Sequence, residues 1–467
     1  MKFLRATRLL LASAAIALPA AAHAQAFGLN EIGSCAIARG FATTASPCKD
    51  ASAIYWNPAA TTSLTGWNVS AGVSAISLNG SFTQDTSFRK FDANVATQWV
   101  PSAFVNYHAD KSRFAYGLGL YVPYGLTSQW KPDFPGRFSA LKASLQTYYI
   151  QPNIAWQIND NWSIGGGPIY GHSKVQLTQG IDLSQQVALP PSTTFGQLGI
   201  ATGTEFARAS LSGSDNGWGV QVGVAGKFYK DWDFGARFLA PIDFKYNNAS
   251  ATFEQIPTHL VVGGTLSSTF AAGTPIDSIV APQFRAGGAL VPQGASTKIT
   301  HPAQFQTGLA YHGFQNWLLE ADYSWVGWKR FDFLPVNFSM PALSRVLIEN
   351  YNNSSAIRLG AEYTTAKDGV KLRAGFAGAA SAAPPETVTP LLPEQDRTYW
   401  TFGAGIPVTK MWTIDASYAH VHTNGQRGRI TERVVGQPSA NLTADQINSG
   451  VFDLSANIFS ITFKASF

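Results

Sequence analysis

The stretch Phe459-Ser460-Ile461-Thr462-Phe463-Lys464-Ala465-Ser466-Phe467 closes the chain and alternates without a break. Phe459, Ile461, Phe463, Ala465 and Phe467 share one face, and Ser460, Thr462, Lys464 and Ser466 share the other. Side chains of a β-strand point alternately to opposite faces, so this period of two reads as a strand with one apolar side. The pattern recurs upstream. Trp412, Ile414, Ala416 and Tyr418 oppose Thr413, Asp415 and Ser417. Leu372, Ala374 and Phe376 oppose Lys371 and Arg373, while Leu319, Ala321, Tyr323 and Trp325 oppose Glu320, Asp322 and Ser324. Each time the charges collect on one face. A wall with lipid on one side demands this sorting, because a charge facing lipid at mid-membrane costs about 2–4 kcal/mol.

The composition agrees with a membrane wall. The 467 residues suffice for one large barrel or for two or three soluble domains. Charged residues make up 13%, against roughly 25% in soluble domains, and aromatic residues another 13%. A mean hydropathy of −0.02 excludes a bundle of transmembrane helices. Only helices and closed barrels satisfy every backbone group in lipid. The chain therefore reads as all-β, a transmembrane antiparallel β-barrel of about 14 strands, an even count as bacterial barrels require. Short polar breaks at Asn159-Asp160-Asn161, Lys230-Asp231 and residues 366–369 read as periplasmic turns, with Trp162, Trp232 and Trp412 as interface residues. Longer stretches near 179–215, 254–295 and 424–450 read as extracellular loops. Two of them carry apolar residues such as Leu183, Phe195, Ile276 and Phe284, which suit a capture groove or mutual packing. The terminal aromatic Phe467 has the form of a signal for the barrel assembly machinery.

The start of the chain fixes the compartment. Lys2, Arg5 and Arg8 precede an apolar run, Leu9 to Leu18, and the small-residue end Ala22-His23-Ala24. This is the layout of a secretory signal peptide, residues 1–24, with Gln25 as the first mature residue. The run is short for a span, which needs about 20 residues. Its removal lowers the formal net charge from +5 to about +2, so the basic balance is no argument for nucleic-acid binding. Cys35 and Cys48, the two cysteines, follow in an oxidising setting and are expected to form a disulfide. Residues 25–65 lack the strand pattern and are assigned to a plug inside the barrel; residues 66–467 are assigned to the barrel itself. A periplasmic tail is the other reading of 25–65.

The third strand carries the sharpest local signal. Pro123 interrupts a strand-like run from Tyr116 to Trp130, and Gly125 follows two residues later. Proline has no N–H for the ladder and is confined to edges and bulges. Pro123, Tyr124 and Gly125 are thus expected to form a kink and a lateral gap in the wall; the other reading is a proline close to the membrane surface, where water pairs the freed groups. Phe27, close to the mature N-terminus, is expected to contact ligand or to pack within the plug. His420 and His422 share a strand face without a nearby carboxylate, so no metal is assigned. The chain has no G-x-S-x-G and no Walker motif, so neither enzyme chemistry nor a cofactor is expected. An adhesin or a general porin leaves the plug and the kink without a purpose.

Five motifs in order resemble the FadL/TodX family of outer-membrane transporters of long-chain fatty acids and aromatic hydrocarbons. They are Phe27-Gly28-Leu29-Asn30-Glu31, Tyr55-Trp56-Asn57-Pro58-Ala59, Pro123-Tyr124-Gly125-Leu126, Asn161-Trp162-Ser163-Ile164-Gly165 and Pro393-Glu394-Gln395-Asp396-Arg397. The resemblance implies a 14-stranded barrel, a monomer, with an N-terminal hatch of short helices. It implies passive uptake of a hydrophobic small molecule in a membrane of lipid and lipopolysaccharide, with exit sideways at the kinked third strand. It places the substrate path near Phe27, Leu29, Leu177 and Asn352, the hatch motif at Asn57, Pro58 and Ala59, and a late-strand motif at Asp396 and Arg397. Family members that carry fatty acids meet the carboxylate with basic side chains. Leu177 and Asn352 stand at those places here. The expected cargo is a long-chain fatty acid, with Lys174, Arg345 or Arg358 meeting its carboxylate instead; the alternative is a neutral monoaromatic hydrocarbon taken up by the same route.

Overall fold

The computed structural model describes residues 26–189, 192–264, 271–367, 369–436 and 449–467. The expected signal segment, Gln25 and Asp368 of one expected turn lie outside them. The wall is a closed antiparallel barrel of 14 strands. The first six are β1 (Gly66–Gln84), β2 (Gln98–His108), β3 in two pieces (Phe114–Tyr121 and Gly125–Gln129), β4 (Lys142–Gln157), β5 (Trp162–Asp182) and β6 (Glu205–Tyr229). Four more are also interrupted: β7 (Trp232–Leu239, Ile242–Gln255), β8 (Gln293–His301, Gln304–Tyr311), β9 (Trp317–Val326, Phe333–Phe338) and β10 (Arg345–Ile348, Ser354–Thr364). The circle finishes with β11 (Lys371–Ala379), β12 (Arg397–Pro407), β13 (Trp412–Thr423) and β14 (Gly450–Ser466).

Closure follows from β14, the strand read first. It pairs with β1 from Asn68↔Ser466 to Gln84↔Gly450, and with β13 on its other side. Phe467 N–H donates to the Trp67 carbonyl at 2.9 Å, and its ring meets Trp412 edge-on at 6.3 Å. Phe459, Ile461 and Phe463 are exposed on the outer face, as are Leu319, Tyr323, Leu359 and Phe402. Their alternating neighbours Glu320, Asp322, Arg373 and Asp415 are buried inside. An apolar outside over a charged inside is the membrane arrangement. The strands run further than the sequence suggested: β5, β6 and β7 extend into the stretches expected to be loops at 179–215 and 254–295.

Arg373 and Asp415 pair within the wall, while Glu320 and Asp322 find partners in a segment that fills the bore. It contains α1 (Ser34–Ala38), α2 (Ala53–Trp56) and a 3-10 turn (Pro58–Ser63). Arg39 pairs with Glu320 of β9. Thr43 and Thr44 donate their N–H groups to Asp322 Oδ2 at 2.9 Å each. Arg358 of β10 donates to Asn30 Oδ1 at 3.1 Å, and Gln221 of β6 to the Tyr55 carbonyl at 2.7 Å. Cys35 and Cys48 are joined by a disulfide. Gly40 adopts φ +61°, where a side chain would be strained. A Cβ there would also lie 2.6 Å from Phe376 N, so only glycine lets this turn touch the wall.

Candidate functional site

β2 pairs with the first piece of β3, from Ala103↔Leu120 to His108↔Ala115. Beyond that point the two strands part. Residues 98–102 of β2 bond to β1, and Gly125–Gln129 bonds to β4. Among the described residues, no backbone pairing joins these two facing edges. Pro123 is the cause, since it offers the ladder no N–H. The chain turns inward there, and Tyr121 and Tyr124 are fully buried. The freed groups find the N-terminal segment instead. Leu29 N–H donates to the Pro123 carbonyl, and Gly125 N–H to the Phe27 carbonyl, both at 2.9 Å. Buried backbone groups must be paired somewhere, and here the N-terminus does it.

Behind the parted edges lies a cavity of about 230 Å³. Its inner end is formed by Ala26, Gly28, Leu29 and Glu31, and its walls by residues such as Ile76, Val122, Leu145 and Ile458. Trp99 and Tyr148 also line it, and they are 68% and 42% exposed on the lipid side. The cavity therefore reaches from the N-terminal segment to the outer surface. Thr127 donates to Gln98 Oε1 at 3.0 Å across the gap.

Three charged groups line it: Glu31, Glu394 and Arg397. Arg397 donates to Glu394 Oε2 at 2.9 Å and to the Ala26 carbonyl at 3.1 Å. Glu394 Oε1 accepts the Ala26 N–H at 2.7 Å. Burial pushes the carboxyls of both Glu31 and Glu394 up from the ordinary range, with Arg397 opposing the shift. The single cation is thus already engaged, and two carboxyl groups flank it.

The other expected positions are spread more widely. The Phe27 ring points away from the cavity into an aromatic cluster, 4.5 Å from Trp328 and 5.5 Å from Phe331. Asn57 Nδ2 donates to the Thr44 and Val224 carbonyls at 2.8 and 2.9 Å, and Oδ1 caps Ala59 N–H at 3.2 Å. Pro58 and Ala59 press on the wall glycines Gly223 and Gly165. Asp396 accepts the Ser381 N–H at 2.6 Å. Leu177 is on β5 beside Ala143 and Leu211, and Asn352 donates its N–H to the Ala382 carbonyl; neither lines the cavity. Lys174 is on the outer face, Arg345 bonds Gln179, and Arg358 serves the hatch. The sequence reading missed the β2 edge and Trp99, and it quoted Glu31 and Glu394 within motifs without placing them at the cavity. Pro101 within β2 was the available signal for an edge.

A closed membrane barrel filled by its own N-terminal segment, with an apolar cavity at a strand break, defines an outer-membrane transport protein for hydrophobic compounds. The family profile described as "Outer membrane protein transport protein (OMPP1/FadL/TodX)" matches residues 15–467, and the chain belongs to that family. It is 24% identical over 441 residues to a long-chain fatty acid transport protein of Escherichia coli O6:H1, covering 91% of this chain and 93% of the relative. A Pseudomonas aeruginosa FadL homologue has the same fold, with TM-score 0.76 and 19% identity over 95% of this chain and 100% of that one. The Pseudomonas putida toluene transporter TodX has it too, with TM-score 0.66 and 16% identity over 95% and 100%. The protein is an outer-membrane transporter of hydrophobic compounds in a Gram-negative bacterium.

Proposed function

We propose that the protein admits neutral hydrophobic molecules, of the size of a monocyclic aromatic hydrocarbon, by passive diffusion. The cargo leaves sideways into the bilayer between β2 and the second piece of β3. The observation that carries this reading is the cavity that runs from Leu29 to the exposed Trp99 and Tyr148 between two edges that do not pair with each other. Lateral exit keeps an oily molecule out of water, where each buried CH₂ is worth about 0.8 kcal/mol. An apolar cavity of about 150 Å³ suffices for benzene, and this one is larger.

The charges favour neutral cargo over a fatty acid. A buried carboxylate needs a free charged or hydrogen-bonding partner. Arg397 is committed to Glu394 and Ala26, and Glu31 adds a further carboxyl group. The hatch stays in place while cargo passes, held by the ion pairs Arg39–Glu320 to β9 and Asp50–Lys464 to β14. No nucleotide is consumed, and the concentration gradient drives uptake.

The test is entry of labelled toluene and labelled oleate into cells with and without the gene. Toluene entry that depends on the gene while oleate entry does not is the expected result. Gene-dependent oleate entry with no effect on toluene would overturn the neutral-cargo reading.

A further inference from the structure

Away from the cavity, the outer face changes character at one level of the wall. On β5 and β6, Tyr170 and Trp218 stand edge to face, with ring centroids 5.2 Å apart. Toward the short turns the outward residues of β6 are apolar, Val220 and Val222. Toward the long connections they are polar. His172, Lys174 and Ser214 are exposed on the same outer face. Lys174 is four residues beyond Tyr170, about 13 Å along the strand. Aromatic residues mark the boundary between lipid and headgroup, so Lys174 stands at headgroup height in the outer leaflet.

The neighbouring strands add an electrostatic anomaly. Lys245 of β7 lies directly opposite Lys298 of β8 in the strand register, and both are exposed outward. Like charges directly opposite are destabilising. The two nearby acids are already occupied. Asp243 holds Lys298 at 3.0 Å and accepts from Thr300 at 2.6 Å. Asp215 accepts the backbone N–H of Lys245 at 2.6 Å. Three exposed lysines therefore share one exposed acid, Asp243, which already holds Lys298, and the outer face keeps an excess of positive charge.

We propose that Lys174, Lys245 and Lys298 form a docking site for the phosphate groups of an outer-leaflet glycolipid. The argument is charge complementarity at a fixed height, on a surface continuous with the lipid-facing wall. A phosphate beside Lys245 and Lys174 balances the cations that Asp243, engaged by Lys298, leaves in excess. Its acyl chains then lie on Val220, Val222 and Trp218 below. An anionic group near a membrane surface gains affinity from each adjacent lysine. The site is on the outside of the wall, so it is independent of the transport path.

The experiment compares the purified protein with Lys245→Gln/Lys298→Gln and with the triple variant that adds Lys174→Gln. Each is incubated in mixed micelles with lipopolysaccharide or with phosphatase-treated lipopolysaccharide, and retained glycolipid is read by native mass spectrometry. Unchanged heat-dependent gel mobility shows that every variant is folded. The expected result is about a tenfold loss of retained glycolipid in the double variant, a further loss in the triple variant, and little retention of the dephosphorylated form by any. Equal retention by wild type and variants would overturn the proposal. So would equal retention of the dephosphorylated glycolipid, which makes the contact one of acyl chains alone. Release from wild type by EDTA would also overturn it, since a divalent ion on Asp215 and Asp243 would then be the ligand.

Discussion

The barrel wall is interrupted at Pro123 in β3 and again at Pro241 in β7, and the two breaks have opposite outcomes. At Pro241 the edges of β6 and β7 also lose their pairing: β6 bonds to β7 through Ser212 and again from Gln221. Yet Ile242 lies against Gly217 and Gly219, and Ala240 N–H donates to the Val220 carbonyl at 2.9 Å. That break is sealed by a side chain set on bare backbone. At Pro123 the edges stand apart, the N-terminal segment takes the orphaned groups, and a cavity opens behind. A proline alone therefore does not open the wall, and on the proposed route does not make a portal. What fills the space beside it decides.

The largest expected effect comes from loosening the filler of the first break. Glu320→Ala leaves Arg39 buried and unpaired, which costs about 3–5 kcal/mol. The hatch should then become sensitive to protease at low temperature while the barrel keeps its heat-dependent gel shift; an unchanged digestion pattern would mean that this pair does not hold the hatch. Next comes Gly217→Val at the sealed break. Its Cβ would lie 2.5 Å from Ile242 Cγ2 and 2.9 Å from the Asp243 carbonyl, a contact that backbone cannot yield cheaply. Overpacking of this kind costs about 1–3 kcal/mol. A lower unfolding temperature with normal toluene entry per folded molecule is expected, and reduced entry at normal stability would make this break a portal too.

Gly125→Val is the matched change at the open break. Its Cβ would meet Leu29 Cδ1 at 2.8 Å, the far end of a flexible side chain. Folding should therefore be spared. The added methyl groups narrow the gap, and about 1.4 kcal/mol of added barrier lowers toluene entry about tenfold. Normal entry in a folded Gly125→Val protein would remove the distinction between the breaks. The smallest effect is expected for Arg397→Met with Glu394→Gln, which neutralises the cavity's ion pair in one step. Toluene entry should stay within about twofold, because a neutral molecule makes no demand on charge. A large loss would show that the pair takes part in transport.

How much of this was legible depended on the length scale of each signal. The wall was readable because membrane burial forces a period of two along every strand, and β14 displays it over nine residues without exception. The kink was readable because proline acts locally, through the N–H it lacks. The interruptions of β7 and β8 rest on the same chemistry at Pro241 and Pro302, but a proline between two strand pieces looks the same in sequence as a loop. Which edges part is a property of the neighbour. Residues 98–102 belong to an unpaired edge only because β3 turns away from them, and Pro101 is their only local trace. The charge balance of the cavity was harder still. Glu31 and Arg397 are 366 residues apart in the chain, and folding alone brings them to one space. Leu177 and Asn352, placed by likeness to the family, lie elsewhere in the barrel because the cavity here is built around the N-terminal segment and β3.

The most direct measurement links the two edges chemically. Gln98→Cys with Thr127→Cys puts thiols on facing sides of the opening, where the native side chains already touch. A short bis-thiol-reactive linker then ties β2 to β3, and labelled toluene entry is followed before and after linking, with each single cysteine variant treated in parallel. A drop of about tenfold or more in the linked double variant alone is predicted. Entry that continues at the original rate through a fully linked wall would contradict it, and the route would have to lie elsewhere.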